Sequence, residues 1–109
     1  MDAKLPGALA SYFTAVNAHD IERVLALFAD DAIVKDEGEE HRGRDAIRAW
    51  MRATSQKYGP LDVEPTAAVE SGPVAVVTSV VSGNFKGSPA TLRYTFTVER
   101  ESITRLEIG

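Results

Sequence analysis

The segment Tyr58-Gly59-Pro60 divides the sequence into a first half with a helical period and a second half with a strand period. Pro60 has no backbone N–H and cannot continue a helix, so a preceding helix should end here. Before this segment apolar residues recur at intervals of three and four, and after it Val, Thr, Phe and Tyr become frequent. Helices followed by strands predict an α+β fold, with helices on one face of a curved antiparallel sheet.

Two of the three predicted helices precede residue 30. The first runs from about Leu5 to Asn17, and its apolar face consists of Leu9, Tyr12, Phe13 and Val16. Asp20 can cap the second helix. The apolar face of that helix consists of Ile21, Val24, Leu25 and Phe28.

A short strand and a third helix complete the first half. We interpret Asp30 and Asp31 as the end of the second helix, followed by a strand from Ala32 to Asp36. The acids Glu37, Glu39 and Glu40 then read as a solvated loop. The third helix should span roughly Arg44 to Lys57.

Four further strands are predicted in the second half from their content of β-branched and aromatic residues. They lie near Leu61–Glu70, Val74–Phe85, Ala90–Arg100 and Ile103–Ile108. The residues SGP at 71–73 and KG at 86–87 are the turn signals, and the second is suited to a tight hairpin.

Composition limits the class of protein. The 109 residues are 44% apolar and 26% charged, which fits one globular domain spanning 1–109. The net charge is -4 and no basic stripe occurs, which argues against a nucleic-acid partner. Cysteine is absent, which excludes disulfides and thiolate chemistry. No apolar run reaches the length of a membrane span or a signal peptide, so we expect a cytoplasmic protein without a membrane partner.

The strand beginning at Val74 is apolar on both faces. Val74, Val76 and Val80 share one face, and Ala75, Val77 and Val81 share the other. Helices can cover only one side of a sheet, so we expect the other side to form a homodimer. Loops covering a central strand are the alternative.

Strand phase distinguishes Asp36 from its acidic neighbours. Lys35 and Glu37 should point toward water, whereas Ala32, Val34 and Asp36 should point toward the helices. A carboxylate beside apolar groups is desolvated, which raises its pKa and makes it a better proton acceptor. Alternatively, the strand has ended and Asp36 opens a solvated turn.

Tyr12 and Tyr94 place two phenols on predicted core faces. Each hydroxyl needs a polar partner and could donate to a developing oxyanion. Each could equally be a core aromatic whose tip reaches the rim. His19 and His41 fall in polar segments, and we expect surface positions for them rather than a metal site.

The runs SYFTAVNAHDIERVLALFADDAIVKD at 11–36 and GRDAIRAW at 43–50 resemble the nuclear transport factor 2-like superfamily, which includes SnoaL-like polyketide cyclases and steroid delta-isomerases. The order of elements is similar along nearly the whole chain. The resemblance implies a cone-shaped, cystatin-like α+β barrel with three helices on a strongly curved, mixed but mostly antiparallel sheet. A central apolar pocket and a dimer are also implied. Enzymes and binding modules share this superfold, so the activity must be argued from the site.

Among these relatives the steroid delta-isomerases have the most similar pattern. Their catalytic Tyr on the first helix and Asp after ADDA-x-V-x correspond to Tyr12 and Asp36. Their second oxyanion donor is a protonated Asp on a late strand, and that position falls on Tyr94 or a neighbour. The resemblance thus implies proton transfer alpha to a carbonyl without a cofactor or metal.

The sequence departs from the isomerase pattern at two positions. The late-strand carboxyl is missing, and Glu37 replaces the usual Pro after the proposed base. We expect the apolar walls around a small-molecule ligand to be Phe28, Val34, Trp50, Tyr58 and Phe96. A non-catalytic module that binds a small ligand or forms a dimer is the alternative.

Overall fold

A computed structural model of the chain describes Leu5 and residues 7–109. Three helices occur in the described part: α1 at Gly7–Asn17, α2 at Ile21–Leu25 and α3 at Arg44–Tyr58. All three agree with the sequence prediction, apart from their ends. The predicted start of the first helix includes residue 6, which lies outside the described residues.

Six strands form one mixed sheet in the order β2-β1-β6-β5-β4-β3. Only the β1–β6 pair is parallel, and the other neighbours are antiparallel. Register shifts interrupt the β1–β6, β3–β4 and β5–β6 ladders, and such bulges bend a sheet. The strands are β1 Phe28–Asp36, β2 Glu39–Arg42, β3 Asp62–Ser71, β4 Val74–Ser82, β5 Ala90–Glu99 and β6 Ser102–Ile108.

The second helix is shorter than predicted. Asp20 caps it as expected, since its side chain accepts a hydrogen bond from the backbone N–H of Arg23. The helix ends at Leu25, however, and Phe28 begins β1 opposite Ile103 of β6. The interpretation of Asp30 and Asp31 as a helix end was therefore wrong, because sheet pairing extends β1 back through both.

The predicted solvated loop after Asp36 is a β-hairpin instead. Glu37 and Gly38 both have positive φ, 52° and 79°, as a two-residue type I′ turn requires. Glu39–Arg42 then pairs with β1 as β2. Glu39 and Glu40 have a low intrinsic propensity for strands. The strand conformation of β2 is therefore determined by the turn and by pairing with β1.

The β4–β5 connection is a loop rather than a tight hairpin. It covers 83–89, and the backbone N–H of Asn84 donates to the Tyr58 carbonyl at 3.0 Å. Gly83 approaches Leu61 so closely that an added Cβ would lie 2.4 Å from it. The loop is therefore packed against the end of α3. The other predicted turn, at Gly72 and Pro73, joins β3 to β4 as expected.

The core lies between the helices and one sheet face. Tyr94 and Phe96 of β5 are buried on this face, while Arg93, which directly precedes Tyr94, is exposed on the opposite face. On β4, Val77 and its inward neighbours are buried, and the opposite face is partly exposed. The outer face also carries Val69 of β3, which is 70% exposed. No helix within the described residues is long and apolar enough to cross a membrane.

Candidate functional site

A cavity of about 670 Å³ lies between the helices and the inner face of the sheet. Side chains from α1, α3, β1, β4 and β5 line it, together with the β4–β5 loop. Most of these side chains are apolar. The exposed lining residues are His19, Asp20, Glu37, Lys86 and others at the opening. This size and lining suit a small organic ligand.

Asp36 faces this cavity from the last position of β1. Val34 and Ala32, two and four positions earlier, are fully buried, while Lys35 is exposed. The structure therefore has the alternation of inward and outward side chains along β1 that the sequence predicted for Asp36. Asp36 itself is partly buried and belongs to the cavity lining.

The surroundings of Asp36 raise its pKa. Desolvation by burial is the largest cause, and the neighbouring charge of Glu37 acts in the same direction. A hydrogen bond from Trp50 Nε1 to Asp36 Oδ2, 3.1 Å long, opposes the shift, as do the backbone N–H of Glu37 and the charge of His41. The raised pKa makes Asp36 a stronger proton acceptor than an exposed carboxylate.

Tyr12 and Tyr94 bring two phenols to the same cavity. Their side chains are almost buried, at 3% and 5% exposure, and their ring centroids are 6.5 Å apart. Both tyrosines line the cavity. Their hydroxyls can therefore meet a ligand there as hydrogen-bond donors.

Burial is also the main reason why the pKa of each tyrosine is raised. The nearby charge of Asp36 adds to the shift at Tyr94. At Tyr12 the contribution of Tyr94 comes second and that of Asp36 third. Both phenols consequently stay protonated at neutral pH and can donate a hydrogen bond as neutral groups. All three groups line the same cavity.

The five predicted wall residues separate into two groups. Trp50 and Tyr58 line the cavity. Phe28, Val34 and Phe96 are fully buried and are not among the residues that line it. Their side chains enter the core instead, where a continuous apolar cluster forms.

The rings of Phe28 and Phe96 pack against the ring of Tyr12. The Phe96 ring lies 5.1 Å from that of Tyr12, edge to face, and the Phe28 ring lies 6.2 Å away. Aromatic pairs of this geometry are favourable and restrict ring orientation. Phe28 and Phe96 thus influence the cavity indirectly, because they restrict the orientation of the Tyr12 ring that lines it.

Glu37 lines the cavity, although the alternation of side chains along the strand predicted that it would point toward water. Its left-handed turn conformation breaks the alternation of β1, and Glu37 lines the cavity opening. Its carboxylate accepts a hydrogen bond from the Tyr58 hydroxyl and lies 3.7 Å from Lys57 Nζ. These contacts join the β1–β2 turn to the end of α3.

Sequence reasoning also missed the contribution of the β4–β5 loop. Phe85 of this loop lines the cavity, with its ring 5.6 Å from that of Tyr58. No pattern signals this contact, because a loop residue has no strand or helix phase. His41 lies on β2 rather than in a loop, with its ring 6.1 Å from that of Trp50.

Within Leu5 and 7–109, no three His, Asp or Glu side chains lie close enough together to hold a metal ion. The polar side chains that line the cavity include the carboxylate of Asp36 and the phenols of Tyr12 and Tyr94. Such a set can transfer a proton and donate hydrogen bonds.

The fold and cavity define a class of α+β cone proteins with a ligand pocket between helices and sheet. A family model for the SnoaL-like domain matches residues 9–105. The chain therefore belongs to the SnoaL-like family, within the nuclear transport factor 2-like superfamily.

Solved structures with the same fold include a polyketide cyclase candidate, protein SMa1630 from Sinorhizobium meliloti. It is 40% identical, with a TM-score of 0.92, and the match covers 96% of this chain and 95% of that one. A protein with a ketosteroid isomerase-like fold from Catenulispora acidiphila, in complex with trimethylamine, is 22% identical. Its TM-score is 0.85, with 97% and 86% of the two chains covered.

TerC co-crystallised with polyporic acid has a TM-score of 0.82 at 19% identity, and the match covers 94% of this chain and 87% of TerC. At these lower identities the likeness to TerC and to the Catenulispora protein concerns the fold alone. The predicted superfamily and fold class are both confirmed.

Proposed function

We propose that the protein catalyses proton transfer alpha to a carbonyl of an apolar small molecule, without a cofactor. The observation that carries this proposal is the meeting of Asp36, Tyr12 and Tyr94 at one apolar cavity, where the Asp36 charge reaches both phenols. The family membership and the 40% identical polyketide cyclase candidate are compatible with such chemistry.

In the proposed reaction Asp36 is the general base. Its carboxylate takes the proton from the alpha carbon, and the C–H electron pair forms the new C=C bond of an enolate. The carbonyl oxygen gains the negative charge and accepts hydrogen bonds from the hydroxyls of Tyr12 and Tyr94. Where the substrate carries a neighbouring C=C bond, the carboxylic acid of Asp36 delivers the proton to the far carbon of the conjugated dienolate and the C=O bond re-forms, which completes an isomerisation; an aldol-type cyclisation would use the same enolate.

The size of these effects is sufficient for a modest enzyme. A positioned base typically contributes about 10²–10⁴-fold. One oxyanion donor contributes about 10²–10³-fold in examples from other enzymes. Tyr94 would replace the late-strand carboxyl of the steroid isomerases with a phenol, which donates one hydrogen bond without having to be kept protonated by a large pKa shift.

A titration tests whether the site is built for this role. The Asp36 carboxyl can be followed by ¹³C NMR, with and without 2-naphthol, whose phenolic oxygen mimics the enolate oxygen. We expect a raised Asp36 pKa and shifted Tyr12 and Tyr94 resonances when 2-naphthol binds. An ordinary Asp36 pKa together with no response to 2-naphthol would contradict the proposal.

The alternative is a non-catalytic ligand-binding module. It is favoured by the aromatic side chains near Asp36, because Trp50 and Tyr58 could surround a ligand whose polar end meets the carboxylate. The trimethylamine complex of the Catenulispora protein suggests an organic ammonium as one such ligand. Binding of tetramethylammonium that is abolished by Asp36→Asn, in a protein with no exchange activity, would favour this alternative.

We also propose that the protein forms a homodimer through the outer face of the sheet. Val76 lies on this face opposite Val69 of β3, which is 70% exposed. Val74 and Val80 extend the apolar row along β4. Burying this row against a second copy would remove apolar surface from water.

A further inference from the structure

Trp50 was predicted as an apolar wall residue, but its indole N–H also forms a hydrogen bond with Asp36. Its Nε1–H donates to Asp36 Oδ2 at 3.1 Å, and no other side chain among the described residues forms a hydrogen bond with this carboxylate. Ile47, one turn earlier on α3, is fully buried and anchors the same helix face. The indole is therefore held toward the end of β1.

The indole is also restrained from the side of β2. The His41 ring lies 6.1 Å from the Trp50 ring at an interplanar angle of 31°. His41 in turn sits opposite Val34 in the β1–β2 ladder, which fixes its distance from the buried strand. Contacts with β1 and β2 thus limit the rotation of Trp50, and an immobilised donor orients its acceptor more strongly than a free one.

We propose that Trp50 is a positioning residue, whose N–H holds Asp36 Oδ2 and leaves Oδ1 to accept the substrate proton. The assignment of Oδ1 rests on the proposed function, whereas the orientation of the carboxylate by Trp50 does not require turnover. Indole donates a hydrogen bond but accepts none, so it stabilises the ionised carboxylate without competing for the transferred proton. This hydrogen bond opposes the desolvation that raises the Asp36 pKa.

A first experiment tests the orientation without any substrate. Trp50 is the single tryptophan, so its indole N–H gives one unambiguous ¹H–¹⁵N resonance. We expect this resonance to shift with the ionisation of Asp36, followed by ¹³C NMR, and to lose that transition in Asp36→Asn. Asp31→Asn removes an exposed carboxylate from the same strand and should leave the transition unchanged.

Other charged groups near the indole need a control. Glu37 lies beside Asp36, His41 faces the indole, and Tyr12 and Tyr94 approach from α1 and β5. Imidazole side chains commonly change charge near neutral pH, so His41→Gln removes that contribution. If the indole transition disappears in His41→Gln but persists in Asp36→Asn, the proposal is overturned.

A second experiment separates positioning from simple packing. Trp50→Phe keeps an aromatic ring but loses the donor, so the Asp36 pKa should rise and the acidic limb of kcat/KM should move to higher pH. A slightly misplaced base should also lower kcat by roughly tenfold to a hundredfold. Trp50→His, which retains an N–H donor, should restore part of both effects.

A failure of the Trp50 proposal can be distinguished from a failure of the proposed reaction. An unchanged or lowered Asp36 pKa in folded Trp50→Phe would overturn the positioning role. If the wild type showed no exchange activity, the proposed reaction would fail, but the indole resonance and the ¹³C titration would still decide whether Trp50 orients Asp36.

Discussion

Tyr12 of α1 and Tyr94 of β5 reach the same cavity, with ring centroids 6.5 Å apart. Helix and sheet thus each contribute one phenol. Since Asp36 raises the pKa of both, the three groups form one electrostatically coupled site.

Removal of either phenolic hydroxyl should slow the proposed reaction. Tyr12→Phe and Tyr94→Phe keep the rings and their packing, so each should fold normally and lose about 10²–10³-fold in kcat. The double variant should lose less than the product of the two factors, because both donors serve one oxyanion. Steady-state kinetics and circular dichroism measure these effects. Wild-type kcat in both single variants would contradict the oxyanion role.

Asp36→Asn should increase stability at neutral pH. The Asp36 pKa is higher in the folded protein than its ordinary value of 3.8, so the folded state binds the proton more tightly than the unfolded state. Stability from this group is therefore present below the ordinary pKa and is lost as pH rises through the folded pKa. Asn avoids that loss, since it carries no charge.

Urea denaturation at several pH values measures this effect. The difference between Asp36→Asn and the wild type should be largest at neutral pH and should shrink below about pH 4. Asp31→Asn, whose carboxylate is exposed, serves as the matched control. A wild type more stable than Asp36→Asn at pH 7 would show that the ionised carboxylate is a net stabilising group.

Phe96 should be important for stability as well as for the site. It is fully buried against the Tyr12 ring, so Phe96→Ala should lower the free energy of unfolding by about 3–5 kcal/mol. Gln56→Ala changes an exposed position of α3 and should alter it by less than about 0.5 kcal/mol. Chemical denaturation compares the two; similar free energies would contradict the packing described.

The proposed dimer makes a prediction about mass in solution. Size-exclusion chromatography with light scattering should give twice the chain mass for the wild type. Val76→Glu places a charge in the apolar row and should give the monomer mass, while Gln56→Glu adds the same charge on α3 and should leave the dimer intact. A monomeric wild type would contradict the dimer.

The fold was largely predictable because hydrophobic period determines which segments form helices and strands. The Pro60 boundary and the Asp20 cap are both present in the structure. Local sequence did not show where sheet pairing extends. β1 therefore begins at Phe28, and acidic β2 forms through its turn and its partner strand.

The candidate site was predictable to the extent that side-chain direction follows strand phase. Asp36 and Tyr94 line the cavity in agreement with their phase. The same rule cannot separate a cavity wall from a core residue such as Phe96, since both point inward. The Trp50–Asp36 and Tyr58–Glu37 hydrogen bonds depend on how α3 packs on β1, which no local pattern encodes.

Exchange of alpha protons for deuterium in a simple cyclic ketone tests the central claim most directly. Followed by NMR in D₂O, the exchange should be faster with wild-type protein than in buffer alone, and Asp36→Asn should reduce this acceleration by at least about 10²-fold. Asp31→Asn should exchange at the wild-type rate. Equal rates for wild type and Asp36→Asn would show that Asp36 is not the base.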